Sequence, residues 1–239
     1  MKASLALLSA LGLLALGSGC QDNWQSFFIH DNKHIGTPPE CAVPTDENAE
    51  GLLGGVLDAS IALGYAAYLF VENGMISRQD PGLPDSESNG IFIQGAYLYY
   101  EPDPLCPASF PSMEAIFSNY LPPGGGGTIG IWIIPPSIGA LMNTAAAGCP
   151  GGMDVTVTIQ MFGVSQGGID MLTQEFDYPV HICSGCLVSC PIGMACAANP
   201  ATPWGFTCDC ANTEVEQTEP PCHLGQDDLV DCRLVAPCT

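Results

Sequence analysis

The chain has 239 residues, 25 of them acidic and only 4 basic (Lys2, Lys33, Arg78 and Arg233), for a formal charge of −21. Hydrophobic residues make up 47%, with 28 Gly, 21 Pro and 13 Cys, which is ample for a buried core and argues against wholesale disorder. So few cations argue against nucleic acid as a partner, because phosphates need clustered Lys and Arg, and against a peripheral anchor that reads anionic lipid headgroups.

The N-terminus reads as an address. Met1 and Lys2 precede an apolar run over 3–16, followed by the small residues Gly17, Ser18 and Gly19 and then Cys20. That order is a secretory signal peptide over 1–19, and the run is short of the roughly 20 residues a permanent span needs. Ser18, Gly19 and Cys20 resemble a bacterial lipobox, in which the cysteine after the cleavage point is diacylated. Gly17 stands where that motif has Leu, which leaves ordinary signal-peptidase cleavage as the competing reading.

Cysteine parity favours the lipobox. With Cys20 assigned to lipid, the even set Cys41, Cys106, Cys149, Cys183, Cys186, Cys190, Cys196, Cys208, Cys210, Cys222, Cys232 and Cys238 remains for disulfides in an oxidising compartment. Gln21 in place of Asp lacks the inner-membrane retention signal of some lipoproteins, so the expected location is the outer membrane, held through the N-terminal lipid.

Residues 20–50, with Pro38, Pro39, Pro44 and the acids Asp46, Glu47 and Glu50, read as a polar tether. The apolar stretch 51–71 is a poor transmembrane candidate, since Asp58 mid-span costs about 2.5–3.5 kcal/mol and its glycines weaken a helix. A loop followed by a strand over 62–71 fits better. Further strands are expected over 91–101 (Ile91, Ile93, Tyr97 and Tyr99 on one face), 113–121, 128–134, 155–161 and 176–183. Pro179 marks the last as an edge or bulged strand.

Short strands between Gly/Pro turns, without long helical patterns, indicate an all-β chain: an antiparallel β-sandwich over 51–182, immunoglobulin-like or jelly-roll. Nine cysteines in residues 183–239 mark a disulfide-rich C-terminal segment, either a stapled module or an extension strapped onto the sandwich.

Chemical motifs are sparse. Gly163-Val164-Ser165-Gln166-Gly167 matches a hydrolase elbow after a strand, with Asp170 or Asp177 and His181 or His223 downstream. The residues after Gly167 alternate like a strand where an elbow leads into a helix, so a hairpin turn explains these glycines better and the secreted serine hydrolase is the rival reading. Cys183-x-x-Cys186-x3-Cys190 beside His181 has zinc or iron–sulfur spacing, but in an oxidising compartment it reads as disulfide. A thioredoxin-like redox role lacks the βαβ context. No calcium loop motif occurs; the clusters Asp80/Asp85/Glu87 and Asp227/Asp228/Asp231 leave a calcium-dependent adhesin or carbohydrate-binding module as another alternative. His30 and His34 lie in the expected tether. No cofactor, metal or catalytic residue is assigned.

Two resemblances add to this. The cysteines from 183 to 222, above all Gly205-Phe206-Thr207-Cys208-Asp209-Cys210, resemble an epidermal-growth-factor-like module. The lipobox at Cys20, Tyr68-Leu69-Phe70-Val71-Glu72-Asn73, residues 176–187 and Pro221-Cys222-His223-Leu224-Gly225-Gln226-Asp227-Asp228 resemble myxobacterial-type surface lipoproteins. That resemblance implies an exported, anchored protein and supplies no catalytic residues. The address, the even cysteine count and the lack of a convincing catalytic constellation make a non-enzymatic structural or interaction role, with a protein or glycan as partner at the cell surface, the leading expectation.

Overall fold

Strict apolar–polar alternation builds the core strand. Val155, Val157, Ile159 and Met161 are fully buried in β8 (Met153–Ser165) while the residues between them face outward. Each such side chain contributes roughly 1.5–3 kcal/mol on burial. The computed structural model describes residues 26–77, 88–189, 195–198, 206–209 and 219–235. It is mostly strand, with packed antiparallel sheets in a sandwich-like arrangement.

One sheet joins β1 (Phe27–Lys33), β2 (Gly51–Leu52), β4 (Tyr65–Asn73) and β7 (Gly126–Ile134) in the order β2-β1-β4-β7. The other joins β3 (Gly55–Asp58), β5 (Ile91–Pro102), β6 (Met113–Leu121), β8 and β10 (Phe176–Cys183) in the order β3-β10-β8-β5-β6, with β9 (Asp170–Leu172) also on β8. Their inner faces share one apolar cluster, including Leu69, Ile133, Leu98, Ile159 and Val180.

Four features depart from the sequence reading. The expected tether over 20–50 contains β1, whose Phe27 is buried and whose backbone pairs with β4; its charged residues conceal this because Lys33 is itself buried. Lys33 Nζ donates to Asp31 Oδ2 at 2.9 Å, Glu47 O at 2.6 Å and Ala49 O at 2.8 Å, so all three ammonium protons have acceptors. Pro179 does not put β10 at the sheet edge. Parallel pairing with β3 begins one residue later, at Val180 opposite Gly55, so the missing N–H falls before the ladder starts.

Third, a helix, α1 (Pro136–Ala146), follows β7 and packs against the core. Pro136 opens it where an N–H has no helical acceptor, and Ile138, Met142 and Ala146 face the core. Gly139 lies so close to Leu63 O that a Cβ could not fit. Fourth, a bulge in β5 between Ile93 and Gly95 shifts its register against both β6 and β8. Ile91 and Ile93 point inward as expected. Tyr97 and Tyr99 do not, because the extra residue reverses the alternation and Leu98 and Tyr100 take the core positions.

Residues 51–71, a poor membrane span by sequence, hold β2, β3, a turn and most of β4. Among the described residues no helix is long and apolar enough to cross a membrane.

The C-terminal residues form a strap. Gln226 spans the Ala66 backbone, accepting from its N at 3.0 Å and donating to its O at 2.9 Å. β14 (Val230–Asp231) pairs in parallel with β11 (Val188–Ser189) and leads into the short helix α2 (Cys232–Val235). β12 (Ala195–Ala198) and β13 (Phe206–Asp209) form a separate hairpin.

Candidate functional site

The outer face of the larger sheet carries aromatic side chains in place of the small polar ones a solvated strand face normally shows. Beyond the bulge, Tyr97 lies over β5 and stacks on Phe162 of β8, with ring centroids 4.7 Å apart and planes inclined by 26°. Gly95 is the neighbour that allows this. It pairs with Phe162 across the strands, and a Cβ there would strike both that ring and Ala115 O. Phe92 and Tyr120, directly opposite each other on β5 and β6, form a second pair at 5.0 Å. Phe92, Tyr99 and Tyr120 remain 46%, 45% and 41% exposed.

Beside the Tyr97–Phe162 stack runs an open groove of about 510 Å³, lined by Gln94, Tyr97, Phe162, Gly163, Asp170, Met171 and Leu172. The volume falls within the usual range for small-ligand sites. Its wall is β9, which pairs with β8 at Phe162–Val164 and brings Asp170 and Met171 to the rim. An aromatic face is electron-rich, so it attracts the weakly positive C–H face of a flat, hydroxylated ring. Gln94 and Asp170 supply amide and carboxylate groups at the edge for hydroxyls.

Ser165 closes the turn into β9. Its Oγ accepts from Ile169 N at 3.0 Å, and its backbone exchanges bonds with Ile169 and Gly168. His181 Nδ1 instead meets Asp154 Oδ1 at 2.6 Å, and His223 Nε2 meets Tyr68 Oη at 2.7 Å. Asp177 accepts from Thr158 Oγ1. Among the described residues the structure does not bring a histidine to Ser165; Gly163 and Gly167 serve a hairpin. His30 bonds Glu72 across the small sheet.

The acidic clusters fare differently. Asp80, Asp85 and Glu87 lie outside the described residues. Asp227 is turned into the fold, away from a cation site: its carboxylate accepts from Val56 N at 2.8 Å and Tyr65 Oη at 2.7 Å, and Tyr65 Oη also meets Tyr178 Oη at 3.1 Å. Burial pushes the Asp227 carboxyl above the usual carboxylate range, partly offset by the Tyr65 and Val56 hydrogen bonds. Burial raises the Tyr65 phenol as well, with the Asp227 charge adding to it.

A raised folded pKa means that Asp227 opposes folding once ionised. Its contribution therefore improves as pH falls through that raised pKa and is lost as pH rises through it. Asp227→Asn should accordingly match or exceed the natural protein in urea unfolding at pH 7 and remove part of the gain on acidification. The amide keeps the Val56 bond, offers its NH₂ to Tyr65, and tolerates the positive φ of 57° at this position.

Three cysteine pairs stand at bonding distance: Cys41–Cys222, Cys106–Cys149 and Cys183–Cys186. Cys196 and Cys208 are opposed in the β12–β13 register. Cys232, expected in a disulfide, is buried and has no sulfur partner among the described residues. Cys20, Cys190, Cys210 and Cys238 lie outside the described residues, as does most of the segment resembling an epidermal-growth-factor-like module.

The aromatic pairs and the Asp227 cluster are invisible as motifs, because both depend on strand register and on contacts between positions far apart in the chain. The strongest signal in the sequence is the surplus of Tyr and Phe in β5. Comparison with protein-family models, with curated proteins and with solved structures gives no match.

Proposed function

We propose that this is a lipid-anchored cell-envelope protein that binds and does not catalyse, and that it holds neutral saccharide on the outer face of its larger sheet. The observation that carries the reading is the Tyr97–Phe162 stack beside an open groove with polar groups at its rim. Exposed aromatic area of this kind is a recurrent mark of a binding surface. The charge of −21 favours a neutral ligand over a polyanion, since like charge opposes approach. Anchoring rests on the N-terminal address and on Cys20, whose acyl chains would hold the sandwich at the outer membrane.

Binding is tested on an array of neutral oligosaccharides with the full mature protein. Tyr97→Ala and Phe162→Ala should each weaken binding about tenfold, or ~1.4 kcal/mol, with unchanged far-ultraviolet circular dichroism. Leu105→Ala, at an exposed tip, should leave it unchanged. No binding to any array member by the natural protein, or equal binding by both ring variants, would refute the saccharide reading. Intact mass measured in the same preparation reports the acyl mass on Cys20 that anchoring requires.

A further inference from the structure

Independently of that surface, we propose that Cys183–Cys186 is a thiol–disulfide exchange site, with Cys186 as the sulfur that attacks a partner and Asp58 as the proton acceptor for the resolving Cys183. Cys183 closes β10 and is buried, whereas Cys186, three residues on, is exposed. Two sulfurs so unequal in access give exchange a direction, because an incoming partner reaches only one of them.

The loop between them keeps its shape without the covalent link. Asp58, fully buried at the end of β3, accepts from Gly185 N at 2.8 Å and Leu187 N at 3.0 Å, and Ala59 N donates to Cys183 O. Gly185 supplies the positive φ of 76° that turns the loop back. Opening the bond therefore leaves both thiols in place, poised to close again. So short a covalent loop constrains the unfolded chain far less than Cys41–Cys222 does, so structural stapling is a weak account of this pair.

The surroundings suit the chemistry. A carboxylate oxygen of Asp58 and both sulfurs lie within 4.8 Å of one another. Ser60 N and Oγ and Gly185 N bond to Oδ1, while Leu187 N is the one donor to Oδ2 among the described residues, so Oδ2 keeps a free lone pair. A cavity of about 410 Å³ opens on the pair, lined by Asn143, Ala147, Gly151 and Gly152 and by Cys149 of the second disulfide. That is room for a cysteine-bearing segment of a partner polypeptide.

From the dithiol form, the Cys186 thiolate attacks a partner's disulfide and releases one partner thiolate. The Cys183 thiol passes its proton to Asp58 and attacks Cys186 Sγ, expelling the second partner thiolate. The partner disulfide is reduced to two thiols and the Cys183–Cys186 bond forms. A second polypeptide dithiol run through the reverse sequence restores the dithiol form and is itself oxidised. No βαβ framework is needed, since β10, the loop and β3 hold the parts.

The test uses the full mature protein and glutathione. On graded reduction followed by alkylation and peptide mass spectrometry, Cys183 and Cys186 should be modified before Cys41, Cys222, Cys106 or Cys149. Cys183→Ser should trap one glutathione on Cys186, while Cys186→Ser traps at least tenfold less. Among the described residues the groups beside the pair are Asp58, Cys149 and, behind Gly152, His181 with Asp154. In Asp58→Asn, glutathione release from Cys186 should slow about tenfold at pH 7 and recover at alkaline pH, where Cys183 ionises unaided. Folding is checked by circular dichroism; if that variant does not fold, the two serine variants decide. Opening of this pair last, equal trapping on both cysteines, or zinc uptake by the reduced protein without trapping would overturn the proposal.

Discussion

Replacing Cys41 and Cys222 together by serine is expected to lower the free energy of unfolding by about 4–5 kcal/mol, the upper end for a native disulfide. The bond joins positions 181 apart, so in the chain-entropy view it removes much of the freedom of the unfolded chain. It also fixes the strap at its origin. Four residues beyond Cys222 stands Gln226, which grips the backbone of β4, and next to it Asp227, which reaches Tyr65. Urea denaturation of the double variant should show a much lower midpoint and a steeper dependence on denaturant, since the unlinked chain exposes more surface. A loss below about 1 kcal/mol would show that the strap stays docked without its cross-link.

Lys33→Met is expected to cost about 3 kcal/mol. The substitution keeps the length of the stem and its place over the Phe70 ring, from whose centroid the ammonium lies 5.2 Å, and removes only the charged head. Glu47 O and Ala49 O then lose their donor, and Asp31 is left uncompensated with one oxygen already lacking a partner. Thermal unfolding, read alongside Lys33→Arg, separates the roles: arginine restores the charge but not the compact fit of three donors around one nitrogen. A methionine variant as stable as the natural protein would show that the loop over 46–50 finds other partners.

Both substitutions fall in or against a stretch that reads as a tether, and the reason it misleads is physical. Sequence patterns report the average environment of a residue type, and a buried ammonium served by two backbone carbonyls violates that average. The long strands are legible because nothing disturbs their period: 155–161 and 176–183 alternate cleanly, and 113–121 matches β6. α1 is concealed because its residues are small and weakly amphipathic, lying between prolines and a glycine. The outward turn of Tyr97 and Tyr99 is not legible at all. A bulge inserts a residue without a signature of its own, and a period-two argument carried across it assigns the wrong face to everything beyond.

That one slip hides the candidate surface from a reading of the sequence. Ile93 and Tyr97 share parity in the sequence but not in the sheet, so rings that parity assigns to the interior are the ones presented to solvent. Asp227 reads as part of an acidic loop, and only the path of the strap reveals it as the acceptor of the Tyr65 hydroxyl.

The strap also sets the order in which the molecule can be completed. Tyr65 and Ala66 are synthesised some 160 positions before the residues that satisfy them, and β3 waits about 125 positions for β10. A nascent chain that ends short of residue 222 therefore has a half-built sheet edge and a phenol without its carboxylate. Closure is a late, long-range event, of the kind that makes β-rich chains slow folders and leaves the emerging polypeptide dependent on protection until its last segment arrives.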